Sequence, residues 1–276
     1  MPSQNSISPI PADTAHTAKA IYGGSNIYLS IGDQLAALLE DIHLNNNDQM
    51  KAPSRLGKPP LVLVTFFQYQ EKLSDCQAAE ATSRRIDWIY ALHLSMSYPG
   101  LNPIALCEFR QGLLSQPDRQ QELQRFLERL KDGGYTQEDQ EQPPAALRVL
   151  TEVCVRTRLD RAITSMRHTL QALATRHPEW LLRISQAHWY GRYDMLNRRQ
   201  PDLTQGMEQQ QALTEATGAD IAFLLGAITQ ADKPELASIN EVQQLYQVWR
   251  EQFDPICLEG VKFLPYCYFC GTNKQI

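Results

Sequence analysis

The chain has little that would mark it for a membrane, for secretion or for a metal. Its apolar run Leu61-Val-Leu-Val-Thr-Phe-Phe67 is far short of the roughly 20 residues needed to span a bilayer, so no transmembrane segment is expected. The start, Met1 to Pro11, is polar and proline-rich, without the basic residues and apolar stretch of a signal peptide. A cytoplasmic location with no membrane partner is the resulting expectation. A basic excess is also missing. With 26 Lys and Arg against 31 Asp and Glu the net charge is −5, which disfavours a strong nonspecific grip on nucleic acid. Six histidines (16, 43, 93, 168, 177, 188) show no H-E-x-x-H spacing. No G-x-S-x-G, Cys/His nucleophile context or phosphate loop appears. Six cysteines lack an extracellular framework spacing. Cys76, Cys107 and Cys154 fall in helical patterns and read as small core residues. The lone Cys267-Tyr-Phe-Cys270 has only Cys257 nearby, short of the four ligands a structural zinc needs.

What is present is helix. At 43% hydrophobic and 21% charged, the chain has the composition of an ordinary soluble protein. Asp13 can cap a short helix reaching about Ile21, closed by Gly23-Gly24. Leu35, Leu38, Leu39 and Ile42 mark another, ended by Asn45-Asn46-Asn47. Lys51–Pro60 reads as a loop. Leu61–Tyr69 suits a strand or a buried helix, and helix is preferred because no partner strand is evident. Asn102-Pro103 is an N-cap followed by proline at the first helical position. In that helix Ile104, Leu106, Phe109 and Leu113 are expected inward, with Glu108, Arg110 and Gln111 outward. Leu123, Phe126, Leu127 and Leu130 define a further amphipathic helix stopped by Gly133-Gly134. Leu159, Ile163, Met166, Leu170 and Leu173 step 4-3-4-3, which reads as bundle packing. Trp180, Trp189, Tyr190 and Tyr193 read as core and interface aromatics, and Ala216–Gly226 and Asn240–Phe253 as more helix.

Leu73–Leu92 carries the most information. Ser74 and Gln77 have capping-box spacing ahead of an alanine-rich helix. Arg84 and Arg85 then precede Ile86, Ile89 and Tyr90 at i, i+3, i+4. Two short helices with arginines at their junction suit contact with phosphates. Residues 51–114 hold seven Lys/Arg against five Asp/Glu, a small basic excess in an acidic chain. A solvated basic corner explains the same residues. The connector Ser95–Leu101 also exceeds the roughly 3–4-residue turn of a compact helix-turn-helix.

The order of these residues resembles insertion-sequence transposases of the broad IS4/IS5-like DDE superfamily, especially the IS1182-like group with its InsH-type N-terminal domain. The matching segments are Leu73–Ala81, Arg85–Leu92, Pro99-Gly100-Leu101 and Leu106-Cys-Glu-Phe109-Arg110-Gln-Gly-Leu113. Asp13–Ala20 with Asn26-Ile-Tyr-Leu29 looks like the leading segment. Pro178-Glu-Trp-Leu181, Trp189-Tyr-Gly-Arg-Tyr193 and Val242–Trp249 look like the helical region that follows. The likeness covers roughly 13–253, densely near 60–114. It implies binding to the terminal inverted repeats of the element, with Gln77, Arg84, Arg85 and Arg110 as candidate DNA contacts and Trp88, Tyr90 and Phe109 as packing residues.

Such transposases also carry three acidic residues of an RNase H-like domain, which hold divalent metals such as Mg. The first aspartate is expected in a Thr-Asp-Ser-Thr-like motif where this chain reads Gln142-Pro-Pro-Ala-Ala-Leu-Arg-Val-Leu150; Asp139 is the nearest alternative. After Phe253 the likeness stops at a cysteine- and aromatic-rich tail. The expectation is therefore a mainly α chain and a truncated transposase without its DDE centre, with no cofactor of its own. Its segments are an N-terminal helical arm (1–50), a DNA-binding-like domain (51–132), a linker (133–145), a helical bundle region (146–253) and a divergent tail (254–276). Self-association or pairing with intact transposase is a further expected partnership. The alternative is a helical interaction protein, or a nonfunctional remnant, without DNA affinity.

Overall fold

The computed structural model describes residues 8–23, 26–44, 59–136, 143–193 and 207–253. Over these residues the protein is mainly α-helical, with no strand among them. Part of the expected linker, the whole tail, Cys257, Cys267 and Cys270 lie outside the described residues. Two compact units divide the chain between Cys154 and Val155.

The first unit contains α1 (Ala12–Tyr22), α2 (Ile27–Asp33), α3 (Leu35–Leu38), α4 (Leu61–Glu71), α5 (Asp75–Arg84), α6 (Ile86–Ala91), α7 (Pro103–Leu114) and α8 (Pro117–Asp132). The start of α9 (Ala146–Arg176) completes it. Its centre is α4, whose residues from Leu61 through Gln68 are all buried. That explains the missing periodicity, because a helix surrounded by others is apolar all round. Phe67 meets Tyr28 edge-on at 4.8 Å and Trp88 at 4.9 Å, distances typical of favourable aromatic pairs. Trp88, Tyr90 and Phe109 are buried, as expected of packing residues.

Several boundaries differ from the sequence expectation. Residues 1–50 are not set apart as an arm in their described part: Ile31, Leu35, Leu38, Leu39, Ile42 and Leu44 all enter the main core of this unit. The helix expected over Leu35–Ile42 is shorter: α3 ends at Leu38, and a separate helix, α2, precedes it. Asn26 caps α2, its Oδ1 accepting from the Tyr28 N–H at 2.8 Å, and Asp41 turns the chain with φ 56°. The second unit also begins later than 146, because Ala146, Val149, Leu150 and Val153 pack into the first core.

In α7 the buried stripe is Leu106, Phe109, Arg110 and Leu113, at i, i+3, i+4 and i+7. Arg110 is inside and Ile104 is 62% exposed, the reverse of the expectation. Ile104 lies two residues before Leu106, on the opposite side of the helix. Among the cysteines Cys154 is buried as expected, but Cys76 is exposed on the first turn of α5.

The second unit holds the remainder of α9 with α10 (Pro178–Ile184), α11 (Ala187–Tyr193), α12 (Met207–Thr229), α13 (Pro234–Ala237) and α14 (Asn240–Gln252). Leu159, Ile163, Met166 and Leu173 face a core shared with Trp180, Trp189, Ile221, Leu224 and Leu245. The 4-3-4-3 seam is thus a bundle seam within this unit. Thr169 Oγ1 donates to the Glu241 carbonyl at 2.9 Å and so joins α9 to α14. Tyr190 is 68% exposed, unlike its aromatic neighbours Trp189 and Tyr193. One stretch, Gln209–Thr229, is long and apolar enough by length and composition to cross a membrane. It contributes Ile221, Leu224 and Ile228 to the core of this unit and buries Thr214, Thr217 and Asp220.

Candidate nucleic-acid interface

The capping box forms as its spacing implies. The Ser74 hydroxyl accepts from the Gln77 N–H, and Gln77 Oε1 accepts from the Ser74 N–H at 2.7 Å. Gln77 is therefore engaged in starting α5. This start fixes Asp75 in the first turn, where the partial positive charge of the helix N-terminus favours a carboxylate.

Asp75 in turn receives Arg110. Nη1 donates to Oδ1 at 2.7 Å and Nη2 to Oδ2 at 2.6 Å, the two-pronged geometry that suits a guanidinium. Gln68 completes the cluster, its Nε2 donating to Asp75 Oδ1 at 2.8 Å and its Oε1 accepting from Arg110 at 3.3 Å. Burial alone would lower the pKa of Arg110, but the Asp75 carboxylate and the Cys154 sulfur raise it, and the net shift is upward. The pair joins α4, α5 and α7 inside the unit. With its side chain 2% exposed, Arg110 has no route to a phosphate in this fold, which corrects its place among the candidate contacts.

Arg85 is held on several sides. Nε and Nη2 donate to Asp87 at 3.1 and 2.6 Å, and Nη1 pairs with Glu71. Its guanidinium lies 5.1 Å from the Tyr28 ring centroid and 5.2 Å from that of Trp88, within cation–π range. Glu71 also accepts from the Tyr28 hydroxyl and from Trp88 Nε1. Burial would lower the Arg85 pKa, yet Asp87 and Glu71 carry it upward. Burial and Glu71 likewise push the Tyr28 phenol up. This network ties α2, α4 and α6 together. Arg84 stands apart: its side chain is 75% exposed and its partner is Glu80, one turn earlier on the same helix. Of the four candidate contacts, only Arg84 presents a largely exposed charge.

Other arginines are likewise used inside the first unit. From α8, Arg119 donates to the Leu44 carbonyl at 3.0 Å, and Arg129 donates to the carbonyls of Leu38 and Glu40. These contacts hold the strand-free segment after α3 in place. Nothing local in the sequence signals them, because the partners are backbone oxygens 75 to 91 residues away.

The second unit contains a polar cluster that the sequence reading missed. Asp220 on α12 accepts from His188 Nε2 at 2.8 Å, from the Tyr193 hydroxyl at 2.8 Å and from Arg192. Burial would raise its pKa, but His188, Tyr193 and Arg192 hold the carboxyl below the usual carboxylate value. The available signal was the i, i+4 spacing of His188 with Arg192 and of Trp189 with Tyr193 on one helix.

At the position of the expected first catalytic aspartate, Ala145 and Ala146 lead into α9. Asp139 lies outside the described residues. Among the described residues no group of three His, Cys, Asp or Glu side chains is arranged to hold a metal ion. The chain matches no protein-family model, no curated protein and no solved structure.

Proposed function

We propose that this chain is a transposase-like DNA-binding protein, recognising the terminal inverted repeats of an insertion sequence and not itself cutting or joining DNA. The observation that carries this reading is the order of matching segments, from Asp13–Ala20 through Leu73–Leu92 and Leu106–Leu113 to Trp189–Tyr193. Arg84 is the candidate phosphate contact, since its charge is largely exposed at the end of α5. Gln77 and Arg85 hold α5 and the α5–α6 junction in shape. A role alongside intact transposase, occupying DNA ends, follows from binding without catalysis.

A second reading, a helical interaction protein without DNA affinity, is favoured by two observations. Arg85 and Arg110 are engaged by carboxylates within the first unit, and the chain has a net charge of −5. A mobility-shift titration with the inverted repeats that flank the coding sequence separates the two. The first reading expects a sequence-specific complex that weakens steeply as salt rises. Arg84→Ala should weaken it and reduce the salt slope by about one, with the thermal midpoint unchanged. No shift at low salt supports the second reading.

A further inference from the structure

The turn after α6 places His93 between two backbone carbonyls. Its Nδ1 lies 2.7 Å from the Ser8 oxygen, and its Nε2 lies 2.8 Å from the Gly32 oxygen at the end of α2. Both are hydrogen-bond distances, and both partners are acceptors. A neutral imidazole has one N–H and one lone pair, so it can donate to only one of them. The other nitrogen would then set its lone pair against a carbonyl lone pair. The imidazolium, with two N–H groups, donates to both. His93 adopts φ 55° to reach this position, a backbone conformation uncommon for a residue with a Cβ.

We infer that protonated His93 is a clip that fastens the segment entering α1 to the end of α2, and that the clip loosens when the imidazole loses a proton. A second fastening lies beside it: Thr14 Oγ1 on α1 donates to the Leu94 carbonyl at 2.9 Å. This bond does not titrate. The ends of α1 and α2 therefore meet at one turn, residues 93–94, through one tether that responds to pH and one that does not. Beneath them Ala18, Leu29 and Tyr90 form a small buried cluster of their own, separate from the main core of the unit. Loosening the clip would uncover this cluster first. The charged and titratable groups on the elements that meet here are Asp13, His16, Lys19 and Tyr22 on α1, Tyr28 and Asp33 on α2, and Asp87 and Tyr90 on α6. Asp33 accepts from the Tyr90 hydroxyl at 2.6 Å, and Asp87 is engaged by Arg85. His16 is the other histidine on these elements, so it requires a control.

Hydrogen exchange of residues 8–22 in the full chain tests the clip, at pH 6 and pH 8 with intrinsic rates corrected. Protection of this segment should fall on going to pH 8 by roughly tenfold, the size of one charge-assisted hydrogen bond. His16→Gln should retain that fall. His93→Asn keeps a residue that tolerates positive φ but supplies one amide in place of two ring N–H groups. It should be less protected at pH 6 and show no pH step. Thr14→Val should lower protection equally at both pH values. A pH step that persists in His93→Asn, or its absence from the unsubstituted chain, overturns the proposal. Nitrogen NMR of histidine-labelled protein gives a check free of mutation. Two protonated ring nitrogens on His93 at pH 6 support the clip, and a single one in the folded protein overturns it.

Discussion

At the scale of single residues, arginine in this protein is largely a structural cation. Arg110 makes the strongest case, because its guanidinium and the Asp75 carboxylate are both almost wholly buried. Breaking a buried pair leaves one charge uncompensated, which typically costs about 3–5 kcal/mol. Arg110→Met or Asp75→Leu should therefore destabilise the first unit by that order in urea unfolding. The double replacement Arg110→Met with Asp75→Leu should recover much of the loss; strict additivity of the two single effects would count against a direct pair. Asp220 allows a prediction from pH. Its carboxyl is held below the usual value in the folded protein, whereas an unfolded Asp titrates near pH 3.9 (about). Its contribution is then fully present above about pH 4 and is lost as pH falls through the lower folded value. The urea midpoint reported by the tryptophans of the second unit should drop over that acid range, and Asp220→Asn should flatten the drop.

At the scale of elements, the starts of α5 and α7 were legible and helix faces less so; Asp13 does not cap α1, which begins at Ala12 after Pro11. Ser74 with Gln77 and Asn102 with Pro103 act through neighbours two or three residues away, so their roles follow from local order. The buried face of α7 follows spacing rather than residue type. Leu106, Phe109 and Leu113 already define a stripe that includes position 110, and the buried Asp75 lets a cation occupy it. The packing of α2 on α6 depends on Gly32. A Cβ there would meet Tyr90 Cδ1 at 2.9 Å and the Ala91 backbone at 3.0 Å. Because one of those atoms is backbone, relief requires the helices to separate. Gly32→Ala should cost about 1–3 kcal/mol, read as a lower unfolding midpoint with the helix content of the folded state unchanged.

At the scale of the whole molecule, two main cores organise the described chain. The early helices join the first core because α3 supplies Leu35 and Leu38 to it while α2 packs on α6. That long-range closure has no local mark in residues 1–50. Of the four tryptophans, Trp88 lies in the first core, while Trp180, Trp189 and Trp249 belong to the second. Each core thus has its own reporter. Leu245→Ala, at a fully buried position, should lower the transition seen by the second set by about 2–5 kcal/mol. A chain retaining only Trp88 should report a smaller shift. Coincident shifts of equal size would mean that the two cores unfold as one.

By itself the sequence determined the helical class, the starts of α5 and α7, the buried character of α4 and the seam of α9. All of these rest on interactions within a few residues or on one-dimensional periodicity. It also carried the ordered resemblance from which the DNA-binding proposal comes. Only the tertiary structure decided which charges remain outside. Arg84 and Arg85 are adjacent in sequence, yet Arg84 is left in solvent. Arg85 instead meets Glu71, Asp87, Tyr28 and Trp88 from three helices. A guanidinium drawn partly out of water is stable only where distant segments bring carboxylates to it, and that arrangement exists only once the chain has closed.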